Sequence, residues 1–121
     1  MQKFNFPRCF AALLMSCLVS GGSLTAASSS PSPEQLGQQL AFDRAKGNCL
    51  ACHAIGNGES PRKIAPPLVS MKTRFPDKDI LKKQIWDARL ANPLTLMPPF
   101  GPHGILSEEE IDEIVDYVYT L

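Results

Sequence analysis

Cys49-Leu50-Ala51-Cys52-His53 decides how the rest of this chain is read. Two thiols separated by two residues can add to the two vinyl groups of one porphyrin, and the side chain after the second thiol then sits under the iron. His53 offers that iron a neutral imidazole nitrogen. Two rival readings of the same residues fail on their surroundings. A thioredoxin-type redox pair needs a strand before it and a βαβ unit around it, and no strand pattern precedes Cys49. A zinc centre made from Cys49, Cys52, His53 and His103 would have to fold the adjacent Cys52 and His53 onto one ion, and the interval to His103 is unlike that of zinc loops. The motif therefore predicts one covalent haem c, attached at Cys49 and Cys52 and ligated by His53.

Upstream, Ser32-Pro33-Glu34-Gln35 reads as a helix start, with Ser32 as N-cap, Pro33 at the first helical position and Gln35 reaching back in a capping box. Leu36, Leu40 and the Gly37/Ala41 pair recur at helical spacing, so the helix is expected to run towards Lys46, stop near Gly47 and deliver the chain into Cys49. Downstream, residues 55 to 76 hold Gly56, Gly58, Pro61, Pro66, Pro67 and Pro76 without sustained periodicity. This is expected to be loop, with a short helical turn around Leu68 to Met71. A loop that long inside a small domain needs something to wrap, and a cofactor supplies it.

Asp77 or Asp79 can cap the next helix, where Leu81, Ile85 and Ala88 repeat at i, i+4, i+7, Trp86 adds bulk, and Asn92-Pro93 is the expected end. Leu94 to Ile105 is again irregular and holds Met97-Pro98-Pro99-Phe100-Gly101. Ser107 to Glu110 forms a second capping box, Glu108, Glu109 and Glu110 suit the positive end of a helix, and Ile111, Ile114, Val115 and Val118 make an apolar stripe. No β pattern of useful length exists. The expected fold is all-α, several short helices with long loops around one haem.

Whether the iron carries electrons or binds small molecules depends on its sixth ligand. Met97, in a Pro-stiffened loop far along the chain from His53, is the favoured donor, because a Met/His pair raises the potential and closes the iron to substrate. Met71 and His103 are the alternatives. A ligating imidazole also needs an acceptor for its other nitrogen, and the carbonyl of Pro66 or a neighbour is the candidate.

Length and charge bound the remainder. The chain has 121 residues and zero formal net charge, which fits one small domain and gives no electrostatic case for nucleic acid. Lys3 and Arg8, the apolar stretch from Cys9 to Val19, and Gly21-Gly22-Ser23-Leu24-Thr25-Ala26-Ala27 resemble a secretory leader cut after Ala26 or Ala27. The apolar run is about half of the roughly 20 residues that a spanning helix requires. Lipidation at Cys17, in Leu14-Met15-Ser16-Cys17, is the alternative fate of this segment. The expected organisation is a leader at 1–26, a Ser/Pro-rich spacer at 27–33 and one domain at 34–121, exported to the periplasm. Cleavage removes Cys9 and Cys17, so only Cys49 and Cys52 remain. It also leaves ten basic against twelve acidic side chains. Eight basic and three acidic residues lie between Arg62 and Arg89, while the terminal helix from Glu108 carries six acidic residues and no basic one. Such a division suits either solvated helix faces or a docking surface of one sign.

With the haem motif, the Pro66 segment, Met97 and the capped last helix in this order, the chain resembles a class I cytochrome c over almost its whole length, though Ala65 stands where a glycine is usual. A narrower resemblance is to the SoxX family, the small monohaem subunits of the SoxAX cytochrome. It rests on Gly47 to His53, Asn92 to Gly101, His103 to Ser107 and Glu110-Ile111, with Pro102 in place of an expected basic residue. That resemblance implies a SoxA subunit as partner, a soluble cytochrome as electron acceptor, and oxidative coupling of thiosulfate to a cysteine of the SoxYZ carrier. The bond-forming site is then expected on SoxA. This chain, which has no free cysteine once haem is attached, is expected to supply no catalytic residue.

Overall fold

A computed structural model describes residues 30–56, 58 and 64–121. The leader, the spacer as far as residue 29, Pro61, and Arg62 and Lys63 of the basic run lie outside the described residues. Ser32 starts α1 (Pro33–Phe42) by the expected capping box: its hydroxyl accepts from the Gln35 N–H at 3.3 Å, and the Gln35 side chain accepts from the Ser32 N–H at 2.9 Å. The helix ends four residues short of Lys46. Asp43 adopts an extended conformation and its carboxylate accepts from the Ala45 N–H at 2.8 Å, a local alternative to the helical ladder. The chain then closes a turn in which the Gly47 N–H bonds Leu40 O at 3.0 Å. It passes through left-handed Asn48 (φ 47°) into a 3₁₀ turn at Cys49–Ala51.

Leu68 and Ile55 form a lone parallel bridge, with the Leu68 N–H donating to Ala54 O at 2.9 Å. The short helix expected around Leu68 to Met71 is α2 (Met71–Arg74). It starts later because Ser70 sits in the left-handed region (φ 51°) and Leu68 is held in the bridge. Asp77, not Asp79, caps α3 (Lys78–Trp86), accepting from the Asp79 N–H at 2.9 Å. This helix stops at Trp86 instead of continuing to Asn92-Pro93. Asp87 turns extended and grips Arg89, accepting from its backbone N–H at 3.1 Å and from Nε and Nη2 at 2.8 Å each. Arg89 holds the Asp87 carboxyl below its ordinary range. Ala88, placed on the helix by its spacing, is fully buried but belongs to a 3₁₀ turn at Ala88–Leu90. The last helix, α4 (Glu108–Val118), carries the expected capping box from Ser107 and Glu110. The fold is all-α, with no sheet among the described residues.

The two ends of the domain meet where α1 crosses α4. Gly37 and Ala41 are the buried residues of α1, and a Cβ on Gly37 would overlap the Glu113 carbonyl and lie 2.9 Å from Tyr117 Cβ. Only a glycine permits this approach. Phe42 and Tyr117 meet edge to face with centroids 6.0 Å apart. Ile111, Ile114 and Val118 of α4 are essentially sealed from water, each contributing on the order of 1.5–3 kcal/mol of apolar transfer.

Part of the charge asymmetry is taken up internally. Lys82 bridges Glu108 at 3.0 Å and Asp112 at 2.8 Å, Lys78 pairs with Asp116, and Lys46 pairs with Glu110 at 2.6 Å. Exposed pairs like those of α3 with α4 add little stability. They do, however, remove the simple picture of one free basic face and one free acidic face. Lys46, then the Ser107 backbone, hold the Glu110 carboxyl below its ordinary 4.5. A depressed carboxyl stabilises the fold above its unfolded-state value and ceases to do so as pH falls through the folded-state value. Stability should therefore decline below about pH 4.5. Glu110→Gln should flatten that decline by about 1 kcal/mol or less, the pair being partly exposed, as read from denaturant midpoints across pH.

Candidate haem site

The turn into Cys49, the Pro66 loop, the inner faces of α2 and α3, the Met97 loop and α4 enclose one cavity of about 610 Å³, within the size range of ligand and cofactor sites. Cys49, Cys52, His53 and Met97 all line it. Apolar side chains form most of the wall, Leu68, Phe75, Leu81, Ile85 and Phe100 among them.

Neither cysteine is taken up in a disulfide, so both thiols are available for attachment. Burial pushes the Cys49 thiol up to about 11, so it is protonated at neutral pH and is a poor spontaneous nucleophile in the folded chain. Gly47 lies against it: a Cβ there would come 3.3 Å from Cys49 Sγ. His53 Nδ1 donates to the Pro66 carbonyl at 2.7 Å. A carbonyl can only accept, so this bond places a proton on Nδ1 and selects the tautomer whose Nε2 offers a lone pair to a metal. Pro66 is the residue named from sequence as the acceptor.

Met97 stands on a loop braced at both ends. Its N–H donates to Thr95 Oγ1 at 3.1 Å, Pro99 and Phe100 are buried behind it, and Gly101 N–H bonds Trp86 O at 3.1 Å. The Trp86 indole covers Gly101 so closely that any Cβ there would collide with the ring. Gly101→Ala should therefore push the indole or the loop aside and cost about 1–3 kcal/mol, read as a lower thermal midpoint together with an altered visible spectrum of the haem-loaded protein.

The alternatives to Met97 are separated from it by position. Met71 is buried and also lines the cavity, but Arg74 Nη1 donates to its sulfur at 3.5 Å and to the Pro67 carbonyl at 2.8 Å. Through Arg74 the Met71 sulfur is thus tied to the Pro67 carbonyl, next in the chain to the Pro66 that holds His53. His103 is exposed and does not line the cavity. The described residues hold no cluster of three or more His, Cys, Asp or Glu that could bind a metal ion, so the zinc alternative has no geometry behind it.

The donor set fits haem c. Two free thiols and an imidazole with a free nitrogen face one apolar cavity of adequate size, and a thioether enters from a different chain segment. When bound, haem c supplies a one-electron iron couple. The chain's own part is to fix the imidazole through Pro66, hold Met97 on its braced loop and exclude water with the apolar wall. Sequence reasoning did not place the polar lining residues Arg44, Lys46, Asn48, Arg74, Gln84 and Thr95 at the site. Gln84 lies three residues from Leu81 on the inner face of α3, so helical spacing could have found it; Arg44 and Arg74 carry no such signal.

Residues 37–118 match the family described as cytochrome C oxidase, cbb3-type, subunit III. The chain is also similar to an "Uncharacterized lipoprotein" of Aquifex aeolicus (strain VF5), 38% identical over 80 residues, which are 61% of this chain and 36% of that protein. The chain thus spans little more than a third of that relative's length. No described helix is long and apolar enough to cross a membrane. With most of its length inside the family match, and a helical fold that gathers the attachment motif around one cavity, this chain belongs to the cbb3-type subunit III family and is a c-type cytochrome, a haem protein of electron transfer.

Proposed function

We propose that this chain carries single electrons through one His53/Met97-ligated haem, as the SoxX-type subunit of a periplasmic thiosulfate-oxidising cytochrome. The observation that carries the reading is the make-up of the cavity lining. Among the described residues it offers two attachment thiols, one imidazole and the thioethers of Met97 and Met71, but no carboxylate and no other thiol. Such a site has nothing with which to make or break substrate bonds once haem is attached. Bond formation between thiosulfate and the SoxYZ cysteine then falls to a SoxA partner, and a soluble cytochrome takes the electrons onward. The segment from Asn92 to Gly101 with its tail to Ile111 supports SoxX over other small cytochromes. The alternative is a stand-alone electron shuttle, which the cavity supports equally.

The leader supports export, and the Aquifex relative's description as a lipoprotein favours keeping lipidation at Cys17 as a second fate of that segment. The test is immunoprecipitation of the full chain from thiosulfate-grown native cells, followed by intact-mass and visible spectroscopy. The expected result is one haem per chain, a low-spin His/Met spectrum and a second, SoxA-type haem subunit in equal amount. Isolation as a single free subunit would replace this reading with the shuttle. A start at Cys17 with added fatty acid would establish the lipid anchor.

A further inference from the structure

Residues 90–106 are seventeen consecutive positions without Lys, Arg, Asp or Glu. Three leucines of this segment face water: Leu90 is 79%, Leu94 89% and Leu96 86% exposed. Single exposed leucines are ordinary, but three within seven residues beside a cofactor cavity are not scattered. The loop that displays them is ordered. Asn92 Oδ1 accepts from the Leu94 N–H at 3.1 Å and Asn92 O accepts from the Thr95 N–H at 3.0 Å, which fixes the turn with its leucines outward. Leu96 lines the cavity, whereas Leu90 and Leu94 do not, so filling the cavity leaves those two in water.

At the cavity the charge among the described residues has one sign, and beside Leu90 the charges of Asp87 and Arg89 cancel as a pair. Among the described cavity-lining residues the charged ones are Arg44, Lys46 and Arg74, with no carboxylate. Lys46 is paired with Glu110, while neither Arg44 nor Arg74 has an ion-pair partner among the described residues. Both arginines and Leu96 are exposed, so they stand at the cavity rim. A second copy of this chain docked through the same face would bring like charges together, which disfavours a symmetric dimer.

We propose that Leu90, Leu94 and Leu96 form the centre of a permanent subunit interface, occupied by a redox protein that presents an apolar hollow edged with carboxylates towards Arg44 and Arg74. The inference rests on the reading of this chain as an electron-transfer subunit. Charges at the rim steer encounter, while the buried leucines set the lifetime of the complex. An interface of this composition persists at high salt, unlike purely electrostatic docking.

The test uses haem-loaded full-length chain from the native host, as wild type, L90S, the triple variant L90S/L94S/L96S, and R44E. The partner is identified by mass spectrometry, and dissociation is followed at low and high salt. Folding of each variant is read from its thermal midpoint, and for L90S also from an unchanged visible spectrum, because Leu96 and Arg44 line the haem cavity whereas Leu90 does not. L90S is expected to weaken the complex roughly tenfold and the triple variant by on the order of a thousandfold, chiefly through faster dissociation. R44E is expected to slow association several-fold, with the wild-type complex stable in high salt. A triple variant that dissociates at the wild-type rate overturns the interface, as does wild-type chain recovered only as monomer, as homodimer or on membranes. A SoxA-type partner that still binds the triple variant defeats the interface and leaves the function standing. A partner of another kind, released by the triple variant, does the reverse.

Discussion

Gly37→Ala is expected to lower the unfolding free energy by about 3 kcal/mol, the upper end of the range for overpacking a core. Two effects oppose each other at this position. Within a free helix, alanine is better than glycine by about 1 kcal/mol. Here, however, the added carbon would overlap the Glu113 carbonyl, which belongs to the backbone of α4 and cannot rotate away as a side chain could. Relief requires α1 and α4 to separate, loosening the contacts of Ala41, Phe42 and Tyr117 together. Chemical denaturation of the haem-loaded protein reads the outcome directly. A variant more stable than wild type would mean that the crossing of α1 and α4 is not as close as described.

Met97→Ala is expected to open one axial position, lower the reduction potential by on the order of 0.2 V within the roughly 0.8 V range that axial ligands command, and let the reduced protein bind carbon monoxide. Met71→Leu should change none of these, since the Met71 sulfur is engaged by Arg74, which also bonds the Pro67 carbonyl. The pair of variants separates a ligand from a packing residue. An unaltered spectrum in Met97→Ala, or a disturbed one in Met71→Leu, would reverse the assignment.

What could be read from the sequence was whatever neighbouring residues decide between themselves. Ser32 with Gln35 and Ser107 with Glu110 are pairs three residues apart, and both capping boxes form. The apolar stripe of α4 is likewise set by spacing. Helix ends were misjudged at Asp43 and Asp87, where a short carboxylate captures a nearby backbone N–H and halts the helix before the apolar pattern gives out. The same limit applies to the site. The attachment motif and the Met97 loop carry their own signatures, and Pro66 could be named from the need for an acceptor. The Trp86 and Gly101 contact, and the pairing of Lys46, Lys78 and Lys82 with α4, depend on which surfaces meet.

The packing of the first helix on the last sets when the interior of the domain can form. Gln38 and Tyr117, which share a hydrogen bond, are 79 residues apart, and Met71 N–H is bound by the carbonyl of Leu121, just past α4. The core is not sealed until α4 packs against α1, and until then the Cys49 thiol is not buried. The architecture thus leaves an interval in which the attachment motif is open chain and its thiols are accessible to a porphyrin.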